Sequence, residues 1–236
     1  MDVYQSQSTL CSAQVDAHRT LRLSALFTLM QEAAFAHAEQ LGVGKAQTLD
    51  RNILWVVVRQ DVEVLRMPQY LETVTLTTWP GQRRFVLYPR YFCITDASGQ
   101  DCIRATTLWT LIDGDTRKFA EQAARDLPVS EATRPPLFRA MAPSPLPIQH
   151  TAPFVVPYSY LDFNGHMNNT RYFDVCEDRI APPRAGKRLL HVRSEYVKEA
   201  RLDEQLTIGW ASDQNRFYFA GDAAQRCFSI ELTYAE

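Results

Sequence analysis

An acid, an amide and an imidazole stand at alternate positions in Asp162-Phe163-Asn164-Gly165-His166, just ahead of an apolar stretch. In an extended segment, residues i, i+2 and i+4 point to one side. Asp162, Asn164 and His166 would then face one reacting centre, with Gly165 letting the backbone bend close to a ligand. The Asn168-Asn169 pair that follows reads as a helix start, where free backbone N–H groups and a positive dipole end gather. A carboxylate, an amide, an imidazole and anion-stabilising amides are what hydrolysis of an acyl bond requires. The same residues also read as turn and capping chemistry, since Asp, Asn and Gly are common turn residues. Taken alone, they leave both readings open.

Two similar sets of elements would position this loop. Ser24 reads as the N-cap of a helix over 24–41, stopped by Gly42 and Gly44. Leu26, Leu29, Met30, Ala33, Ala34, His37, Ala38 and Leu41 recur along it at helical spacing. Strand patterns follow at 54–65, 73–79, 84–95 and 103–113, with a turn from Asp96 to Gly99. This order implies an α+β fold, an antiparallel sheet wrapped on a central helix. Prolines from Pro128 to Pro147 then punctuate residues 126–147, which read as an extended linker.

After the linker the order repeats, with a helix over 169–179 and strands at 191–198, 205–211, 216–220 and 227–234. Glu72-Thr73-Val74-Thr75-Leu76 resembles Glu204-Gln205-Leu206-Thr207-Ile208, and the same offset sets Glu63 opposite Glu195. The chain therefore reads as a duplication, with one unit in 1–125 and a second in 148–236. Two such units, each with an uncovered strand edge, would pair edge to edge. Their seam would form a cleft for a long apolar ligand.

The bulk properties exclude some classes. Hydrophobic residues at 46% and charged residues at 22% are ordinary for a globular protein. A formal charge of −2 gives no general reason to expect nucleic-acid or membrane binding. Cys11, Cys93, Cys102, Cys176 and Cys227 contain no C-x-x-C pair, and an odd count suits a reducing compartment. The first residues lack a signal-peptide pattern, and no apolar run approaches the ~20 residues that cross a bilayer. A cytoplasmic location is expected.

Three segments carry a family likeness: Met30 to His37 in the first helix, Asn52-Ile53-Leu54-Trp55 with the valines and Arg59 that follow, and the Asp162/Asn164/His166 loop with Asn168, Asn169 and Tyr172. Arg104 to Trp109 and Arg193-Ser194-Glu195 add to it. The chain resembles the acyl-acyl-carrier-protein thioesterase family of plants and bacteria, which is built from tandem hotdog domains. That resemblance implies release of free fatty acid from the phosphopantetheine arm of acyl carrier protein.

It also implies catalytic roles for Asp162, Asn164 and His166, and its later glutamate maps onto Glu195. Plant members often have a cysteine after that glutamate; Tyr196 stands there in this chain, which argues against a thiol nucleophile at that spot. A nucleophilic Cys176, served by His166 and Asn164, is disfavoured because no basic neighbour lowers its pKa. Carboxylate attack and carboxylate-assisted attack by water both remain open. Leu29, Met30, Ala33, Ala34 and Phe35 on the first helix would line the acyl tunnel in the N-terminal unit, although core packing explains most of them equally well.

No metal or organic cofactor is implied. Acyl carrier protein is acidic, so a basic docking cluster is expected among Arg83, Arg84, Arg90, Arg117 and Lys118. The long N-terminal extension of plastid-targeted members is not in this sequence, which favours a bacterial-type enzyme, monomeric or homodimeric. The alternatives are an acyl-CoA thioesterase using the same site, a hotdog enoyl-thioester hydratase, and a non-catalytic acyl-thioester binding protein.

Overall fold

The computed structural model describes residues 2–127, 134–180 and 187–235. The first half runs β1 (Tyr4–Thr9), α1 (Leu23–Gln40), β2 (Ile53–Val64), β3 (Thr73–Pro80), β4 (Tyr88–Thr95), β5 (Asp101–Asp113) and the short α2 (Glu121–Asp126). The second half runs β6 (His150–Val155), α3 (Arg171–Ile180), β7 (Leu189–Tyr196), β8 (Gln205–Asp213), β9 (Arg216–Asp222) and β10 (Arg226–Tyr234). All ten strands pair antiparallel in one sheet, ordered β1-β3-β4-β5-β2-β7-β10-β9-β8-β6. Read inward from either edge, the two halves have the same strand order. Each is a hotdog, a curved antiparallel sheet around a central helix.

α1 buries Leu23, Leu26, Phe27, Met30, Ala33 and Ala34, which recur in the i, i+3, i+4, i+7 pattern of one helix face. The expected cap, Ser24, lies inside this helix and is buried; the helix begins one residue earlier, with Arg22 as its cap residue. Burial of Leu21 and Leu23 draws the helix start forward, overriding the capping preference. Gly42 closes the helix at φ +71°, a backbone conformation that costs glycine little. In the second half, α3 buries Tyr172, Phe173, Val175 and Cys176. The two helices meet where the rings of Phe27 and Phe173 stack 4.0 Å apart.

Some expected strands differ. Residues 84–87 form a tight turn rather than the start of β4, bridged from Arg84 to Leu87, with Phe85 at φ +55°. β1 and β6, the two edge strands, and α2 lay outside the sequence expectation.

The halves join where β2 pairs with β7, from Arg59 opposite Glu195 to Glu63 opposite His191. Asp61 faces Arg193 at the centre of this seam. The two are separated along the chain by the same interval as Glu63 and Glu195, so the internal repeat is a twofold relation centred on this pair. Strand alternation turns Val62, Val192 and Tyr196 toward the helices, and Asp61, His191 and Arg193 to the outer face.

The expected linker splits: residues 126–127 end α2, and 128–133 lie outside the described residues. Residues 134–149 run without regular structure across the outer face of the sheet. Four side chains hold that strap by its backbone. Trp79 Nε1 donates to Pro135 O at 3.3 Å, and Thr106 Oγ1 donates to Phe138 O at 2.8 Å. The carboxylates of Asp61 and Glu231 accept the N–H groups of Met141 and Ser144 at 2.7 and 2.5 Å. Among the described residues, no helix is long and apolar enough to cross a membrane.

Phe27 joins the helix of one half to that of the other and is 1% exposed. Phe27→Ala should lower unfolding stability by about 3–5 kcal/mol, the usual cost of truncating a buried aromatic. Urea titration followed by tryptophan fluorescence measures it, and a loss under about 1 kcal/mol would show that the helices do not depend on this contact.

Candidate active site

The polar loop sits between a 3-10 turn at Tyr158–Tyr160 and α3, and it is not the extended segment that alternation would need. It is a tight turn: Asp162 N–H donates to His166 O at 2.8 Å, and Leu161 bridges Met167. Gly165 adopts φ +75° within it. Asp162 Oδ1 accepts the Asn164 N–H at 2.8 Å and the His166 N–H at 3.4 Å, so this carboxylate holds the turn together. The capping reading of Asp162 is thus realised. The turn still directs Asp162, Asn164 and His166 to the wall of one cavity of about 850 Å³.

α3 starts at Arg171, later than expected, and Asn168 holds the turn that leads into it. Asn168 Oδ1 accepts from Thr170 N–H and Oγ1, both at 2.9 Å, and Asn168 O accepts the Arg171 N–H. The Met167 and Asn168 amides donate to Ala200 O and Tyr160 O. Most amides expected to stabilise an oxyanion are therefore already engaged, and the Asn169 N–H is the one these bonds leave out. Asn169 Oδ1 is buried in the cavity wall without a partner.

The carboxylate beside His166 is Glu199. Its Oε2 lies 3.4 Å from His166 Nε2, and its Oε1 pairs with Arg117, which arrives from the turn after β5 in the other half. Segment 199–201 reaches the loop through the bridge between His166 and Arg201 and the bond from Met167 N–H to Ala200 O. This contact between distant segments explains why reading along the chain missed Glu199. The one available signal is its position just past the end of β7, where a carboxylate leaves the sheet.

Glu195 is placed differently. Alternation along β7 turns it to the outer face, away from the helices, where it pairs with Arg59 across the seam. The structure does not bring Glu195 to the other three residues.

His166 has 13% of its side chain exposed. Burial pushes its pKa below the ordinary 6.5; Glu199 opposes that shift, Arg117 adds to it, Asp162 opposes it and Arg201 adds to it. The imidazole is therefore neutral at neutral pH and able to take a proton. A neutral ring directing Nε2–H to Glu199 leaves Nδ1 as the acceptor, and Nδ1 is buried without a partner. Cys176 is fully buried, which raises its thiol pKa well above the usual value and keeps it protonated.

The apolar part of the cavity comes largely from the first half, through Phe35 of α1, Trp55 and Val57 of β2, and Trp109 and Ile112 of β5. Of the α1 residues expected to line it, Ala34 lines an adjacent smaller cavity, while Met30 and Ala33 are core and Leu29 packs against that core. Phe35, expected there, does line it, and Gln31 joins it on the α1 wall. The expected basic cluster is also divided, because Arg117 is paired with Glu199 and Arg90 is set deep against His37.

Residues 1–125 match the model of the acyl-ACP thioesterase N-terminal domain, and residues 147–224 match that of its C-terminal domain. The chain belongs to the acyl-ACP thioesterase family. A chloroplastic acyl-acyl-carrier-protein hydrolase of Cuphea viscosissima is 28% identical over 232 residues, covering 90% of this chain and 56% of that protein. A chloroplastic palmitoyl-acyl carrier protein thioesterase of Gossypium hirsutum is 25% identical over 231 residues, covering 90% of this chain and 56% of its own. The chain thus spans about half the length of these curated family members. Among solved structures, an acyl-ACP thioesterase from Bacteroides thetaiotaomicron superposes with a TM-score of 0.81 at 22% identity, covering 99% of this chain and 98% of that one. The 12:0-ACP thioesterase of Umbellularia californica superposes at 0.83 with 19% identity, covering 100% and 98%. At those identities the superpositions establish the fold of the family.

Proton NMR of the histidine ring should give His166 a titration midpoint below 6.5. Glu199→Gln removes a charge that favours the imidazolium, so it should move the midpoint lower still. A midpoint at or above 6.5, or an upward shift in the variant, would contradict this electrostatic arrangement.

Proposed function

We propose that this chain hydrolyses fatty acyl thioesters carried on acyl carrier protein, releasing free fatty acid and the carrier's phosphopantetheine thiol. The observation that carries the reading is one cavity with an apolar wall from the first half and His166, Asn164 and Glu199 at its polar end. Membership of the family supports the carrier protein as the handle. The free thiols of all five cysteines support a reducing, cytoplasmic setting.

Of the two routes the sequence left open, the geometry favours water as nucleophile. Asp162 Oδ1 accepts two backbone amides, whereas the lone pair of His166 Nδ1 has no hydrogen-bond partner. Water adds to the thioester carbonyl while His166 takes its proton. Glu199, held by Arg117, stabilises the resulting imidazolium. The C–S bond then breaks, and the imidazolium returns the proton to the departing sulfur. Asn164 orients the water or the carbonyl, and the Asn169 N–H faces the developing oxyanion. Asp162 acts by holding the turn that presents the other two.

Steady-state rates on one acyl chain offered on carrier protein and on CoA test the handle, and the proposal expects the higher kcat/KM on carrier protein. Faster turnover of the CoA thioester would favour the acyl-CoA reading, and water uptake by an enoyl thioester without thiol release would favour a hydratase.

General-base catalysis is worth about 10²–10⁴-fold, so His166→Ala should lower kcat by that order. Glu199→Gln should lower it substantially, and Glu195→Gln should change it by less than about threefold. The reverse order for the two glutamates would restore Glu195 to the site. Cys176→Ser should keep most of the activity and a chelator should leave it intact; complete loss in a folded Cys176→Ser protein would revive a thiol mechanism.

A further inference from the structure

A second cavity, of about 80 Å³, adjoins the first, and Phe35, Trp55 and Trp109 line both. It has room for a short end of a chain, since one water needs about 10–15 Å³ of such space. Its walls are mostly apolar, with Ala34 and Ala38 of α1 and Val43 beyond that helix. Two polar groups break the pattern.

The first is Arg90 of β4. Its Nη1 donates to His37 Nδ1 at 3.0 Å and to Thr78 Oγ1 at 3.3 Å, so both acceptors are uncharged. No carboxylate pairs with Arg90 among the described residues. Arg90 is half-buried as a residue, and it forms part of this cavity's wall. Burial pushes its pKa down to about 10, the mark of a cation held without a counter-charge. The second is Tyr88, whose ring meets Trp55 edge-on in the same wall and whose buried hydroxyl has no partner.

A cation in an apolar wall is costly unless something pairs with it. A hydrocarbon end packed into this space would leave Arg90 and Tyr88 as they are, whereas an oxygen acceptor would give a partner to the polar group it meets. The cavity is too small for a whole acyl chain and lies beside the one that holds the reacting end.

We propose that this cavity receives the far end of the acyl chain, and that Arg90 and Tyr88 select chains bearing an oxygen acceptor there over chains ending in methyl. The inference rests on the thioesterase reading and adds a substrate class to it. The shared chemistry is an oxygen that accepts hydrogen bonds, whether a terminal carboxylate or a terminal hydroxyl. A site built to hydrogen-bond a substrate group discriminates strongly against the analogue lacking it.

The experiment compares kcat/KM for methyl-ended, ω-hydroxy and ω-carboxy acyl chains on carrier protein across a series of lengths. The expected result is at least a tenfold preference for one oxygenated class at the best length. Preference for the carboxylate identifies a charge partner for Arg90, and preference for the hydroxyl identifies a neutral one. Arg90→Met should bring the ratio close to one, and Tyr88→Phe should narrow it if Arg90→Met does not fold. Calorimetry with a fatty methyl ester and its ω-hydroxy counterpart reads the same preference without turnover. If no chain is hydrolysed but the ω-hydroxy ester binds more tightly, the thioesterase reading falls and this site stands. Methyl-ended chains turned over equally well at every length, or a preference that survives Arg90→Met, would overturn the proposal.

Discussion

The pairing of β2 with β7 is the constraint on which the rest of the structure depends. Each half ends in a strand whose outer edge carries unpaired N–H and C=O groups, an unstable arrangement in water and an invitation to aggregate. Joining those edges over the register from Arg59 to Glu63 satisfies both strands and makes one sheet. It also sets α1 and α3 side by side on a common face, where Phe27 and Phe173 complete the core. The cavity follows from this arrangement. Its apolar wall is drawn from β2, β5 and α1, and its polar end from the loop before α3 and the segment after β7.

The electrostatics of the site depend on the same union. Arg117 belongs to the first half, yet it grips Glu199 of the second, which in turn faces His166. Burial holds the imidazole neutral, while the nearby carboxylate limits how far its basicity falls. These opposed influences leave a base that is free of its proton at neutral pH and can still accept one. Asp162 contributes through structure, since its accepted amides fix the turn that presents Asn164 and His166. The strap over the opposite face ties the halves together by backbone contacts to Asp61, Thr106 and Glu231.

Much of this was legible along the chain because the relevant signals are local. Helical spacing found α1, strand patterns found β2, β3 and β5, and the repeated Glu-Thr-Val-Thr-Leu fragment pointed to the twofold relation. The loop residues were readable because they lie within five positions of one another. What was hidden depends on the third dimension. β1 and β6 alternate exposed with half-buried residues, and the Ser, Gln and Thr of β1 and the Pro153 of β6 obscure the usual strand signature. Glu195 and Glu199 are four residues apart in similar sequence, and only the sheet's alternation and the bridge to Arg201 tell them apart. Met30 and Ala34 sit on one broad apolar stripe, and which of them borders a void is decided by how closely the sheet approaches. Arg90 reads as one surface arginine among several until the strand carries it inward.

Carrying both halves on one polypeptide frees positions that symmetry would otherwise tie. In an assembly of two identical subunits, the residue on the axis would meet its own copy, and an aspartate there would face an aspartate. Here Asp61 faces Arg193, and its other neighbour, His191, corresponds under the twofold to Arg59 rather than repeating it. Fusion thus turns a site of inevitable like-charge repulsion into an attractive one. It also lets one unit specialise in chemistry while the other is shaped by what it must enclose.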